Sequence, residues 1–235
     1  MSEPFRFKQF SVADDRCGQK VGTDSILLGS WATATNVHRV LDIGTGSGLL
    51  ALMQAQRFSN AKITAIEIDS SAFEQAQQNF SSSPWANRLT ATHADARQFT
   101  SVKSFDLIVC NPPYFEASFR SDHGSRTIAR HEDRLTFADL TKVAATLLNQ
   151  QGRFCAVLPF DRAFEFTDIA TQHQLHLVRR CDVRPTPSSE PKRSLLAYGL
   201  QKTEVVDSKD LVLEESRHQY AAGYVKLAKE FLLKM

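Results

Sequence analysis

Arg39-Val40-Leu41-Asp42-Ile43 is a short apolar run that stops at Gly44-Thr45-Gly46-Ser47-Gly48, and Leu49-Leu50-Ala51-Leu52-Met53 follows at once with helix-forming residues. A strand, a glycine turn and a helix start in direct succession leave few choices of fold. Glycines admit positive φ and close backbone approach, and the first helical N–H groups point outward at a ligand. Such a unit opens a parallel α/β sheet whose ligands bind beyond the carboxyl ends of the strands. The spacing is G-x-G-x-G, with Leu49 where the third glycine of the dinucleotide fingerprint would stand. Asp42, two positions ahead of Gly44, is poorly placed for a pyrophosphate and suits a ligand with a cationic amino-acid end. That combination points away from NAD and toward S-adenosylmethionine.

Further polar residues fall at successive strand ends. Ala61–Ile66 reads as the next strand and Glu67 closes it, where an acid can accept both hydroxyls of a ribose. Asp69 suits the cap of a helix over Ser70–Phe80. Leu89–Ala96 reads as a strand and turn, with Asp95 placed to accept the exocyclic amine of adenine. Each acid singly could equally be a solvated loop residue; their order is what joins them. Phe105–Cys110 is another buried strand, and Asn111-Pro112-Pro113-Tyr114 follows it directly. Pro-Pro imposes extended backbone without N–H groups, so carbonyls point outward. Alone, this could merely punctuate a turn. Beside an amide and an aromatic ring, it suits a planar group that carries an NH2.

In that order, Val40–Gly48, Glu67, Asp95 and Asn111–Tyr114 resemble the motifs of class I S-adenosylmethionine-dependent methyltransferases, specifically the amino-methyltransferases with N-P-P-Y. Phe7–Phe10, Asp15–Cys17 and the segment from Lys20 to Ala32 are similar to the amino end of the bacterial tRNA(Val) adenine-37 N6-methyltransferases. The resemblance spans nearly the whole chain and weakens after about Pro191. It implies a doubly wound, Rossmann-like α/β fold: a seven-stranded, mostly parallel sheet with helices on both faces. The last strand is expected antiparallel, as an edge hairpin with its predecessor. The cofactor implied is S-adenosyl-L-methionine, held by Lys20, Gly22, Thr23, Asp42, Gly44, Gly46, Gly48, Glu67, Asp95 and Asn111. The implied catalytic set is Asn111, Pro112, Pro113 and Tyr114, and the implied substrate partner is tRNA, through its anticodon region.

With 235 residues and 42% apolar content, the chain reads as one methyltransferase domain. Residues 1–38 are an N-terminal extension packing on the cofactor site, and residues 39–235 are the catalytic core. Within the extension, Lys8–Val12 and Arg16–Val21 read as a hairpin, and Thr23-Asp24-Ser25 as the cap of a helix over Ile26–Ala34. Downstream, helical spacing covers Leu135–Gln150, a strand Gly152–Leu158, a helix Asp161–Gln172, strands Leu175–Val183 and Ser194–Lys202, and an amphipathic helix Arg217–Lys234. Strands alternating with helices by themselves imply a mostly parallel sheet covered on both faces.

A net charge of +2 excludes a polybasic nucleic-acid binder but not an enzyme that holds RNA through a local patch. Two basic loops are the candidate RNA contacts: Arg120, Arg126 and Arg130 within Phe115–Arg134, and Arg184, Lys192 and Arg193 around a Pro/Ser-rich turn. Basic loop residues are also commonly just solvated. The four cysteines are scattered without C-x-x-C spacing, which implies a reduced, cytoplasmic setting and no zinc site. No leader-like segment or long apolar run points to secretion or a membrane, and no obligate protein partner is evident. Two other readings stay open. The same chemistry could serve a release-factor glutamine amide or guanine N2 of rRNA, although release-factor enzymes usually carry a helical amino-terminal domain and the segment before Arg39 is short. A nucleotide-binding module or dehydrogenase without methyl transfer is the other, disfavoured by the glycine spacing and by Asn111–Tyr114.

Overall fold

The computed structural model describes residues 3–112 and 135–235. An antiparallel pair, β1 (Phe5–Arg6) and β2 (Ser11–Val12), precedes α1 (Thr23–Trp31). The glycine unit follows as β3 (Arg39–Ile43) and α2 (Leu49–Arg57), then β4 (Lys62–Glu67), α3 (Ser70–Ser81), β5 (Leu89–His93) and β6 (Phe105–Cys110). Next come α4 (Phe137–Leu147), β7 (Leu148–Pro159), α5 (Ala163–Gln172), β8 (His176–Arg184), β9 (Arg193–Gly199) and β10 (Asp207–Val212). A short pair, β11 (Glu214–Ser216) and β12 (Gln219–Tyr220), leads into α6 (Ala222–Ala228).

Among the described residues the main sheet has eight strands, in the order β10-β8-β9-β7-β6-β3-β4-β5. Strands β5, β4, β3, β6 and β7 pair in parallel throughout. β9 runs antiparallel to both β7 and β8, and β10 lies parallel to β8. The expected seven-stranded sheet therefore has an eighth strand, and β9, expected at the edge, is interior. Asp207-Ser208-Lys209-Asp210 is polar and exposed with no period-2 alternation, so nothing in its pattern announced a strand. It is held by backbone pairing and by ion pairs from β8, Arg179 to Asp207 at 3.5 Å and Arg184 to Asp210 at 3.2 Å. A charged edge of this kind also resists pairing with another chain.

Two apolar layers fix the sheet, because successive strand residues point to opposite faces. Leu107 and Val109 of β6 join one cluster with α1, α2, α3 and α6, including Leu27, Leu28, Leu52, Ala76 and Tyr224. Ile108 and Cys110 join the other, beneath α4 and α5, with Leu140, Ala144 and Phe166. Complete burial of a Leu or Phe side chain contributes roughly 1.5–3 kcal/mol, so these two layers stabilise the sheet from both faces. One edge of the sheet collects the carboxyl ends of β3 to β8 and of β10, together with the start of β9, where Arg193 pairs with Pro159.

Other boundaries moved for local reasons. The amino-terminal hairpin is β1–β2 rather than Lys8–Val12 with Arg16–Val21; Phe7 and Phe10 stack at its turn with ring centroids 4.5 Å apart. Residues 14 to 21 instead form a loop closed by Asp14, which accepts from the Val21 amide at 2.9 Å. Helix α1 starts at Thr23 without a side-chain cap, because the capping position falls on Gly22, which has no side chain; Asp24, inside the first turn, is bound by Arg193. Helix α4 ends at Leu147 and runs straight into β7 at Leu148, four residues before the expected Gly152. The expected helix over Arg217–Lys234 is reduced to α6, since Gln219 and Tyr220 pair with β11. The Asp69 cap is as expected, accepting from the Ala72 amide at 2.8 Å.

Candidate active site

The glycine loop between β3 and α2 is pinned to the end of β4. The Gly44 and Thr45 amides both donate to the Ile66 carbonyl, at 2.9 and 3.1 Å. Gly46 has φ 55° and Gly48 φ 83°, conformations that disfavour any side chain. A Cβ on Gly48 would also run into the Phe80 ring, whereas one on Gly46 would project into open space, the space a ligand can use. Glu67 closes the arrangement: Oε2 accepts from the Gly46 amide at 2.8 Å, and Oε1 accepts from Ile68 and Asp69 at 2.9 and 3.0 Å.

Asp42 lies beneath this loop, fully buried. Its Oδ2 accepts from the Thr45 hydroxyl at 2.5 Å and from the Ala51 amide in the first turn of α2 at 3.1 Å. Oδ1 is buried with no hydrogen-bond partner among the described residues. Burial pushes this carboxyl up to about 7 against the two hydrogen bonds that favour its ionised form, and the nearby Glu67 charge raises it further. Asp42, expected to face the ligand, has its carboxylate under the loop in the structure, with Oδ2 engaged by Thr45 and Ala51. Asp42 is oriented by the helix start above it and shapes the loop from below.

A crevice with an enclosed volume of about 40 Å³ opens above the loop. Its walls come from Lys20 and Val21, from Ser25 of α1, from Gly44 to Ser47, from Leu49 and Leu50, and from Asn111. Segments far apart in sequence thus meet where the glycine loop predicts a ligand. Glu67 and Ile68 lie at the end of β4, outside the crevice lining. Ile68 is 53% exposed there, an apolar surface beside an acid that sequence patterning did not single out.

Of the expected cofactor residues, Lys20, Gly44, Gly46 and Asn111 line the crevice, while Gly22, Thr23, Asp42, Gly48, Glu67 and Asp95 do not. Lys20 is held beside it by the Asp14 carbonyl, at 2.7 Å. Asp95 is an ion-paired acid: Arg97 binds it through Nε and through Nη2 at 2.6 Å, and this holds its carboxyl below the usual range. Asn111 sits half-buried just past β6, and its Nδ2 donates to the Ser25 hydroxyl at 2.9 Å. Pro112 is buried behind it. Pro113, Tyr114, Arg120, Arg126 and Arg130 lie outside the described residues.

The second basic group sits at the same sheet edge but is engaged with the fold. Arg184 binds Asp210 and donates to the Ser189 carbonyl at 2.8 Å, which organises the 185–191 turn. Arg193 binds Asp24 at 2.9 Å and so ties the start of α1 to β9. Lys192, between them, is exposed. Two of the three expected RNA-facing cations, Arg184 and Arg193, thus have structural partners that loop composition could not reveal.

A larger cavity of about 690 Å³ flanks the sheet between α1, α2, α6 and β8, lined by Trp31, Arg57, Arg179 and Lys226 among others. None of the described motif residues lines it. Among the described residues, no group of three His, Cys, Asp or Glu could hold a metal ion, and no helix is long and apolar enough to cross a membrane.

Residues 17–163 match the Methyltransferase small domain family. A tRNA1(Val) (adenine(37)-N6)-methyltransferase of Phocaeicola vulgatus is 47% identical over 231 residues, covering 98% of each chain. The protein of that name from Flavobacterium johnsoniae is 42% identical, covering 98% of this chain and all of its own. Among solved structures, a predicted O-methyltransferase from Agrobacterium tumefaciens superposes with a TM-score of 0.70 at 18% identity, covering 88% of this chain and 96% of that one. The glycopeptide N-methyltransferase MtfA, complexed with S-adenosylmethionine, gives 0.54 at 12% identity, covering 72% and 90%. At those identities the structural likeness concerns the fold alone.

Proposed function

We infer that this chain, which belongs to the tRNA1(Val) (adenine(37)-N6)-methyltransferase family, transfers a methyl group from S-adenosylmethionine to N6 of adenine 37 in that tRNA. The observation that carries the reading is the meeting of Asn111 with the glycine loop in one crevice. An amide that can receive an adenine amine stands beside the backbone that can hold a methyl donor.

Bound S-adenosylmethionine supplies an activated methyl on a sulfonium, so the protein needs neither a nucleophilic side chain nor a metal for this step. The residues present fit that cofactor: Gly46 leaves open space, Leu49 and Leu50 at the start of α2 line the crevice, and Glu67 stands at the strand end where ribose hydroxyls need an acceptor. The adenine amine is a poor nucleophile because its lone pair is delocalised into the ring. The Asn111 side-chain oxygen and the Pro112 carbonyl each accept one of its N–H groups, turning the lone pair toward the methyl. Tyr114 stacks on the base, worth roughly 1–3 kcal/mol. The remaining contribution is placement, with reacting atoms held about 3–3.5 Å apart. The methylated nitrogen releases its extra proton to solvent without a strong base.

The substrate enters through its anticodon loop, where the target purine is already partly unstacked and costs less to splay out. Residues 1–38 belong to the catalytic unit, because Lys20, Val21 and Ser25 complete the crevice begun by the core. The enzyme works in the cytoplasm, where this substrate resides; its buried thiols Cys110 and Cys155, raised by desolvation, are inert core residues there. Incubating the protein with labelled S-adenosylmethionine and RNA from a strain lacking the modification, then mapping the labelled nucleoside, tests the reading. Label at adenine 37 of tRNA(Val) is expected; label in protein and not in tRNA overturns it.

A further inference from the structure

We propose that Ser25 is a positioning residue for methyl transfer, holding the Asn111 amide in the orientation that receives the substrate amine; the inference rests on the adenine-methylating reading above. Asn111 follows the last residue of β6, and rotation about its terminal side-chain bond is intrinsically soft, with two broad orientations. An amide that acts on a planar amine must present its oxygen. A half-turn would present NH2 to NH2, a donor against a donor. In the structure Nδ2 donates to Ser25 Oγ at 2.9 Å, across 86 residues of sequence, so the opposite side of the amide is the oxygen.

Ser25 can do this because its helix is fixed on three sides. Asp24, the preceding residue, is bound by Arg193 at 2.9 Å, and Arg193 is the first residue of β9 in register with Pro159 at the end of β7. Ile26, Leu27 and Leu28, which follow, are buried in the core layer shared with α2. Further along the helix, the Gly29 carbonyl accepts from Gln54 at 3.0 Å and from Arg57 at 2.9 Å. The Ser25 hydroxyl thus reaches Asn111 from a rigid base, the condition under which a supporting hydrogen bond controls geometry. Arg193 enters this account as the outer support of the arrangement.

Ser25 also lines the crevice beside Lys20 and Leu50, so contact with the cofactor is the competing role. The test is steady-state kinetics on tRNA(Val) with S-adenosylmethionine, calorimetric cofactor binding and thermal unfolding for the wild type, Ser25→Ala and Ser25→Thr. Ser25→Ala is expected to lower kcat by about ten- to a hundredfold, the scale set by misplacing a reacting group, with cofactor Kd, tRNA KM and Tm unchanged. Ser25→Thr, which keeps the hydroxyl, restores most of the rate. An unchanged kcat in Ser25→Ala overturns the inference, as does a loss confined to cofactor Kd or an equal loss in both variants. Wild-type protein that leaves adenine 37 unlabelled overturns the functional reading instead, and the inference with it.

Discussion

The Gly46 amide donates to Glu67 Oε2 at 2.8 Å, so the acid at the end of β4 holds the glycine loop at the end of β3. Loop shape and the proposed ribose contact would therefore share one carboxylate. A ribose that binds Glu67 must share or displace a hydrogen bond to the loop, which couples loop geometry to cofactor occupancy.

Replacing Glu67 by Ala should weaken S-adenosylmethionine binding by about 1.5–3 kcal/mol, the scale of one hydrogen bond to a charged group. Because the acid is half-exposed, the core should survive its loss. Calorimetry checks the affinity and thermal unfolding checks the fold. Wild-type affinity would remove Glu67 from the cofactor site.

Asp42 should make stability depend on pH in an unusual direction. Its carboxyl lies at about 7 when folded, against 3.8 for the free group. A raised carboxyl means that the folded state binds the proton more tightly than the unfolded chain. The contribution is therefore fully present below about 3.8 and is lost as pH rises to about 7. Asp42→Asn should flatten this component of the Tm–pH curve across that window. Asp42→Ala should instead destabilise the fold at every pH, by about 1–3 kcal/mol for each buried donor left unpaired, namely Thr45 and Ala51. Sequence position alone suggests the opposite, a fold indifferent to the loss.

Asn111→Ala should separate binding from chemistry. Cofactor affinity should stay close to wild type while methyl transfer falls by about a hundredfold or more, as when a preorganised hydrogen-bonding group is removed. Tyr114→Ala should weaken productive RNA engagement, and Tyr114→Phe, which keeps the stacking face, should retain substantial activity. Single-turnover rates beside calorimetry decide the matter, and an Asn111→Ala enzyme at the wild-type rate would deny the amide its role.

Arg184 and Lys192 should differ. Lys192→Ala should reduce tRNA affinity and shallow the log–log salt dependence by roughly one unit, as loss of a single phosphate contact does. Arg184→Ala should loosen the 185–191 turn and the β10 edge, because its partners are Asp210 and Ser189. Filter binding across a salt series and thermal unfolding distinguish the two effects. Equal salt slopes for wild type and Lys192→Ala would place that lysine outside the RNA interface.

Residues 39 to 110 were legible in the chain because their signals are local. Apolar runs of strand length, glycines needing positive φ, and Asp69 before a helix each depend on neighbours within a few positions. The order of the acids and of Asn111 along those strands was enough to suggest the donor and a planar amine acceptor. Alternation also marked β7, β8 and β9 to within a few residues of their ends, since core-facing residues recur along each.

Tertiary structure decided what depends on distant partners. β10 exists because β8 offers it a backbone edge and two guanidiniums, and nothing in Asp207–Asp210 encodes a strand without them. Arg193 looks like a free loop cation until Asp24 is brought to it across 169 residues. Asp42 looks like an exposed strand-end acid until the start of α2 closes over it. Ser25 looks like a helix cap until β6 delivers Asn111 to its hydroxyl. A residue's type and spacing determine which hydrogen bonds and charges it can offer, but which partner accepts them is settled only when the core layers bring separate segments within about 3 Å.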